Sequence, residues 1–78
     1  MTVIVYSTLT CPYCVMVKDY LKQHKVEFED VNLSVSQDRV DEMIQKSGQT
    51  GVPVLDIDGR IIVGFNRNKI KEILKLKD

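Results

Sequence analysis

The chain has 78 residues, too few for two cores, and is read as one domain spanning residues 1–78. Hydrophobic residues make up 44% of it, enough for a packed core, and its two cysteines sit too close together to staple distant segments. Eleven Lys and Arg balance eleven Asp and Glu, so the zero net charge argues against a general nucleic-acid or membrane-surface protein. The balance is uneven: residues 27–58 carry eight acidic and two basic side chains, residues 60–78 six basic and two acidic. Solvated helix faces account for that pattern. No apolar run approaches the ~20 residues of a membrane span, and no signal-peptide pattern precedes the first β-branched stretch.

Val3-Ile4-Val5-Tyr6 is β-branched and aromatic, and predicts a buried strand over about 2–6. Ser7-Thr8-Leu9-Thr10 follows as a polar turn into Cys11-Pro12-Tyr13-Cys14. Pro12 fits the first position of a helix, where its missing N–H costs nothing, and this leaves Cys11 at the cap. There the free backbone N–H groups and the positive end of the helix dipole favour the thiolate, which is the nucleophilic form. Cys14, three residues on, shares that helical face and can reach back to Cys11. One attacking and one resolving sulfur make a dithiol–disulfide redox centre. A structural disulfide here would close too short a loop to restrict the unfolded chain. A zinc site lacks ligands, since only His24 is left over. A reactive dithiol without structural disulfides points to a reducing cytosol, so a cytoplasmic location is expected.

The first helix is predicted over about 12–24, with Cys14, Val17 and Leu21 inward and Lys18, Lys22 and Gln23 outward. His24 reads as its solvated end residue. Residues 27–32 alternate polar and apolar as a half-buried strand does, with Phe28 in the core. Ser34-Val35-Ser36-Gln37 matches a capping box, with Ser36 as the alternative cap. The helix it opens runs to about Lys46, turns Val40, Met43 and Ile44 inward, and ends at Gly48. Residues 53–57 and 60–63 predict strands joined by a hairpin at Asp58-Gly59. A last helix over about 67–76 faces Ile70, Ile73 and Leu74 inward. The order β-α-β-α-β-β-α combines a parallel, right-handed β-α-β unit with an antiparallel hairpin. Joined edge to edge, they give a four-stranded mixed sheet with helices on both faces.

A strand entering Cys-Pro-Tyr-Cys at a helix start, then Val52-Pro53 before a hairpin, then Gly64-Phe65 before a last helix, resembles the glutaredoxins over essentially the whole chain. The likeness is greatest to the short bacterial glutaredoxin-like redoxins, which grade into the reductants of ribonucleotide reductase. It implies an α/β thioredoxin fold with sheet order 2-1-3-4 and three flanking helices. It also implies a dithiol–disulfide oxidoreductase acting on protein or glutathione mixed disulfides, with Cys11 as nucleophile and Cys14 resolving. Pro53 would be cis, and Val52 would offer backbone hydrogen bonds to the substrate. Tyr13 would flank the site, and Gly64 would let the backbone approach a bound peptide closely. Thr10, Pro12, Phe65, Asn66 and Arg67 complete the implied substrate or glutathione groove. No tightly bound cofactor is implied, and glutathione serves as the reducing co-substrate. The implied partners are disulfide-containing proteins and, as electron donor, glutathione or thioredoxin reductase. A monomer is expected, with no nucleic acid and no membrane. From the binding class, the alternative is an iron–sulfur cluster carrier.

Three departures stand out. Thr8 occupies a position where glutaredoxins commonly carry a lysine or arginine, and Gly51 one where a threonine often precedes Val-Pro. Val63-Gly64-Phe65-Asn66-Arg67 replaces the Gly-Gly-x-Asp-Asp of glutathione-using members. These changes leave the redox chemistry intact and weaken the glutathione site.

Overall fold

The computed structural model describes residues 2–76. They form β1 (Val3–Ser7), α1 (Pro12–Gln23), β2 (Glu29–Asn32), α2 (Val40–Ser47), β3 (Val54–Ile57), β4 (Arg60–Val63) and α3 (Arg67–Leu74), with a 3-10 turn (Gln37–Arg39) leading into α2. The strands lie in the order β2-β1-β3-β4. β1 runs parallel to β2, with Tyr6 opposite Val31, and antiparallel to β3, with Val5 opposite Leu55. β3 and β4 form the hairpin, with Leu55 opposite Ile62. This is the expected thioredoxin fold.

Strand alternation divides the core in two. Val3, Val5, Leu55, Ile57 and Ile62 pack against Val17, Tyr20 and Leu21 of α1 and Ile70 of α3. Phe28 lies against the same cluster, as expected, and so do Ile73 and Leu74. On the other face Tyr6, Val31 and Val54 pack with Leu33 and with Met43 of α2, and Val40 and Ile44 lie half-buried beside them. Two helices therefore cover one face and one covers the other. Among the described residues, no helix is long and apolar enough to cross a membrane.

The second face also holds a polar network. Asp56, on β3 and 8% exposed, meets Lys46 Nζ at 2.7 Å and accepts the Gly59 N–H at 2.8 Å, which closes the hairpin. Lys46 also donates to the Tyr6 hydroxyl at 2.9 Å, and Tyr6 in turn donates to Glu42. Arg39 bridges Glu42 at 2.9 Å and Glu29 of β2 at 2.6 Å. Hydrogen bonds from Arg39 and then Tyr6 hold the Glu42 carboxyl down at about 2. The hydrogen bond to Asp56 raises Lys46, and burial raises Tyr6.

Element ends differ from expectation where a distant partner intervenes. Ser34 does not open a capping box: its Oγ accepts the Leu9 N–H at 3.3 Å, tying the β2–α2 loop to the β1–α1 loop. Ser36 and Arg39 stand at the caps of the 3-10 turn and of α2 without side-chain cap bonds. Asp41 and Glu42 in the first turn of α2 suit its dipole instead. His24 is the C-cap of α1, half-buried, with its ring 4.6 Å from that of Tyr20 rather than free in solvent. α3 stops at Leu74 because Lys75 turns left-handed (φ +56°). β2 starts at Glu29, two residues later than the alternation predicts.

Candidate active site

The β1–α1 loop carries the dithiol to the start of α1. Cys11 adopts an extended N-cap conformation (φ −105°, ψ 106°), and Pro12 opens the helix as its missing N–H allows. The Cys14 N–H donates to Cys11 Sγ at 3.2 Å, so a helix-terminal donor points at the first sulfur. Cys11 is partly exposed and Cys14 is 0% exposed, both as free thiols. Burial, followed by the hydrogen bond with Cys11, pushes the Cys14 thiol up to about 12. The Thr8 backbone N–H and the Lys18 ammonium act the other way. One sulfur is thus open and met by a donor, while the other is enclosed and protonated at neutral pH.

The second wall of the site comes from the loop before β3. Val52-Pro53 is a cis peptide, as the resemblance implies, and Pro53 is fully buried. The Cys11 thiol donates to the Val52 carbonyl at 3.8 Å, which places that backbone beside the open sulfur. The Gly64 N–H donates to the Pro53 carbonyl at 2.8 Å. Gly64 has φ +80°, a conformation that favours glycine over residues with a Cβ. Thr10 and Tyr13 flank Cys11 in sequence and are exposed, Tyr13 by 61%.

Phe65, Asn66 and Arg67 belong to a neighbouring feature. With Val63, Asn68 and Lys71 they line an open groove of about 710 Å³ that none of Cys11, Tyr13, Val52 or Pro53 lines. Asn66 caps α3, its Oδ1 accepting the Lys69 N–H at 3.2 Å. Phe65 meets the Tyr20 ring edge-on at 5.9 Å, and the Arg67 guanidinium lies 5.4 Å from the same ring. So Cys11 meets both Cys14 and Val52 directly and Pro53 joins Gly64, while Phe65, Asn66 and Arg67 line the adjoining groove.

One part of the site is not apparent from sequence. Lys18, expected to face out, pairs with Asp30 of β2 at 3.1 Å, and Asp30 accepts the hydroxyl of buried Ser7 at 2.9 Å. Its four-residue spacing from Cys14 was the available signal.

The family model for glutaredoxin matches residues 3–62. A glutaredoxin-like protein from a rubredoxin operon of Clostridium pasteurianum is 46% identical over 71 residues, covering 91% of this chain and 95% of that protein. The glutaredoxin-like protein NrdH of Lactococcus lactis is 30% identical over 71 residues, covering 91% and 97%. The crystal structure of an Archaeoglobus fulgidus glutaredoxin superposes with a TM-score of 0.85 at 26% identity, over 95% of this chain and 86% of that one. The chain therefore belongs to the glutaredoxin family, whose chemistry is thiol–disulfide exchange.

Proposed function

We propose that the chain is a cytoplasmic dithiol–disulfide oxidoreductase that reduces protein or glutathione mixed disulfides through Cys11 and Cys14. The observation that carries this reading is the asymmetry of the pair: Cys11 accessible at the helix cap with a donor at 3.2 Å, Cys14 enclosed beneath it. Cys11 Sγ attacks a substrate disulfide, one substrate sulfur leaves as a thiol, and the other stays bound to Cys11. Cys14 then attacks Cys11 Sγ, and the second thiol leaves. The Val52 backbone beside Cys11 suits an extended cysteinyl segment, with Pro53 shaping the wall behind it. Thr10, Pro12 and Tyr13 form the near rim.

The electron donor divides this proposal into two versions. Glutathione carries two carboxylates and an ammonium, and a strong site offers charged partners to each. Thr8 supplies no cation, and the Asn66 side chain is engaged in capping α3. Across Gly64 and Phe65, the start of α3 offers backbone N–H groups to a carboxylate, with the Arg67 guanidinium, held over the Tyr20 ring, beside it. Each missing charged contact is typically worth about 1.5–3 kcal/mol. Glutathione-coupled turnover is therefore expected to be measurable and inefficient. The engaged Asn66 favours the second version, in which thioredoxin reductase reloads the dithiol and the chain supplies an enzyme such as ribonucleotide reductase. The test follows disulfide reduction with NADPH and either glutathione plus its reductase or thioredoxin reductase alone. Under this reading Thr8→Lys with Asn66→Asp raises glutathione-dependent kcat/KM at least roughly tenfold, about 1.4 kcal/mol. Fast glutathione turnover in the wild type, unmoved by the pair, would contradict it.

A further inference from the structure

Cys14 has a chemical problem that the dithiol mechanism leaves open. Its sulfur is fully enclosed, and it must lose a proton to attack the mixed disulfide. In the free protein its neighbour is Cys11 Sγ, 3.2 Å from its own N–H. Once the substrate occupies Cys11, that sulfur carries no charge and takes no proton. The help must come from elsewhere.

Lys18 is placed to give it. It lies one turn beyond Cys14 on α1, at the spacing that puts two side chains on one helix face. Its side chain is only 22% exposed, and its ammonium is fixed 3.1 Å from Asp30 Oδ2 on β2. The other Asp30 oxygen accepts the hydroxyl of Ser7, the buried last residue of β1, from which the Cys11 loop departs. Two adjacent strands thus hold the cation in place, where an exposed lysine would wander in solvent.

We infer that Lys18, positioned by Asp30 and Ser7, is the cation that stabilises negative charge on Cys14 as it resolves the mixed disulfide. The inference rests on the dithiol reading above. In this step the Cys14 S–H bond breaks, the Cys11–Cys14 S–S bond forms, and the bond from Cys11 to the substrate sulfur breaks. The substrate sulfur leaves with the electron pair of that bond, and the proton from Cys14 ends on it or in solvent. One disulfide replaces another, so no external oxidant is needed. Among the described residues, the titratable and charged groups that act on Cys14 are Cys11 at the cap and Lys18 on α1, with the Thr8 N–H from the β1–α1 loop as a neutral donor. Asp30 of β2 and Ser7 of β1 act through Lys18.

The test is a single-turnover reaction of the reduced full chain with dithiobis-nitrobenzoate, which releases one coloured thiolate on attack by Cys11 and a second on resolution by Cys14. Lys18→Met keeps the apolar stem, Lys18→Gln keeps a donor for Asp30 without the charge, and Lys18→Arg keeps the charge. In Met and Gln the first phase should hold within about twofold, while the second slows about tenfold at neutral pH and its pH midpoint rises about one unit. Arg should restore both. If Met fails to fold, Gln carries the test. An unmoved second phase, or equal slowing of both phases, would overturn the role of Lys18 alone. A wild type that releases no first equivalent would sink the dithiol reading, and this inference with it.

Discussion

On the α1/α3 face of the sheet, Val3, Val5, Leu55 and Ile57 meet Val17, Leu21 and Ile70 in a cluster that holds no charged side chain. On the α2 face the same central strands present Tyr6 and Asp56, which meet Lys46 and Glu42 in a chain of hydrogen bonds. The difference separates two tasks. An apolar bed has no polar register to satisfy, so it seats α1 by shape and carries the dithiol at the helix's open end. The polar face ties α2 to strands β1, β2 and β3 through directional contacts, whose strength depends on protonation. The dithiol thus sits on the face packed mainly by shape, with the Lys18–Asp30 pair as the charged contact beside it, while the longer charged network lies on the face away from the thiols.

Breaking the apolar face should cost most. Leu21→Ala empties a fully enclosed position under α1 and should lower unfolding free energy by about 3 kcal/mol, read from urea denaturation. Breaking the polar face should cost less. Lys46→Met leaves Asp56 without its cation and should cost about 2 kcal/mol, below the value for a fully buried pair because Lys46 is partly exposed. Activity per folded molecule should survive this change, since the network does not touch Cys11 or Cys14.

Acid sharpens the same contrast. The Glu42 carboxyl sits at about 2 in the folded chain against an ordinary 4.5, chiefly through Arg39. A lowered carboxyl stabilises the fold fully above 4.5, and that stability drains away as pH falls toward 2. Glu42 is 37% exposed, so solvent screening should leave about 1 kcal/mol of this term. Denaturation midpoints at about pH 6 and about pH 3 should differ less in Glu42→Gln than in the wild type. An equal loss in both would show that Glu42 contributes nothing. The smallest effect belongs to Ser34→Ala, which removes a single exposed loop contact to Leu9 and should cost under about 0.5 kcal/mol. A loss near the roughly 1 kcal/mol of a true helix cap would restore the capping-box reading.

What was legible in the sequence followed from local chemistry. β-branched Val3 and Val5, the Cys11-Pro12 entry to a helix, Gly48 (φ +74°) after α2 and the Asp58-Gly59 turn each specify their own conformation. What was not legible depends on partners distant in the chain. Ser34 looks like a cap until Leu9 takes its hydroxyl, and Lys18 looks solvated until β2 brings Asp30 to it. Asp56 reads as a strand's polar side, yet it is buried because α2 lays Lys46 across it. The cysteine pair was readable because helix entry alone sets its geometry. The grouping of Phe65, Asn66 and Arg67 around a separate groove needed the fold.

Two cysteines three residues apart take unequal roles in this site, and intact-mass spectrometry of single variants tests that most directly. Reduced Cys14→Ser and Cys11→Ser proteins are each mixed with a disulfide-bonded cysteinyl peptide and quenched with acid. Cys14→Ser should accumulate one peptide adduct on Cys11, because attack proceeds and resolution cannot. Cys11→Ser should form essentially none and show no turnover in the coupled assay. Comparable adducts on both variants, or turnover by Cys11→Ser, would contradict the assignment of Cys11 as nucleophile.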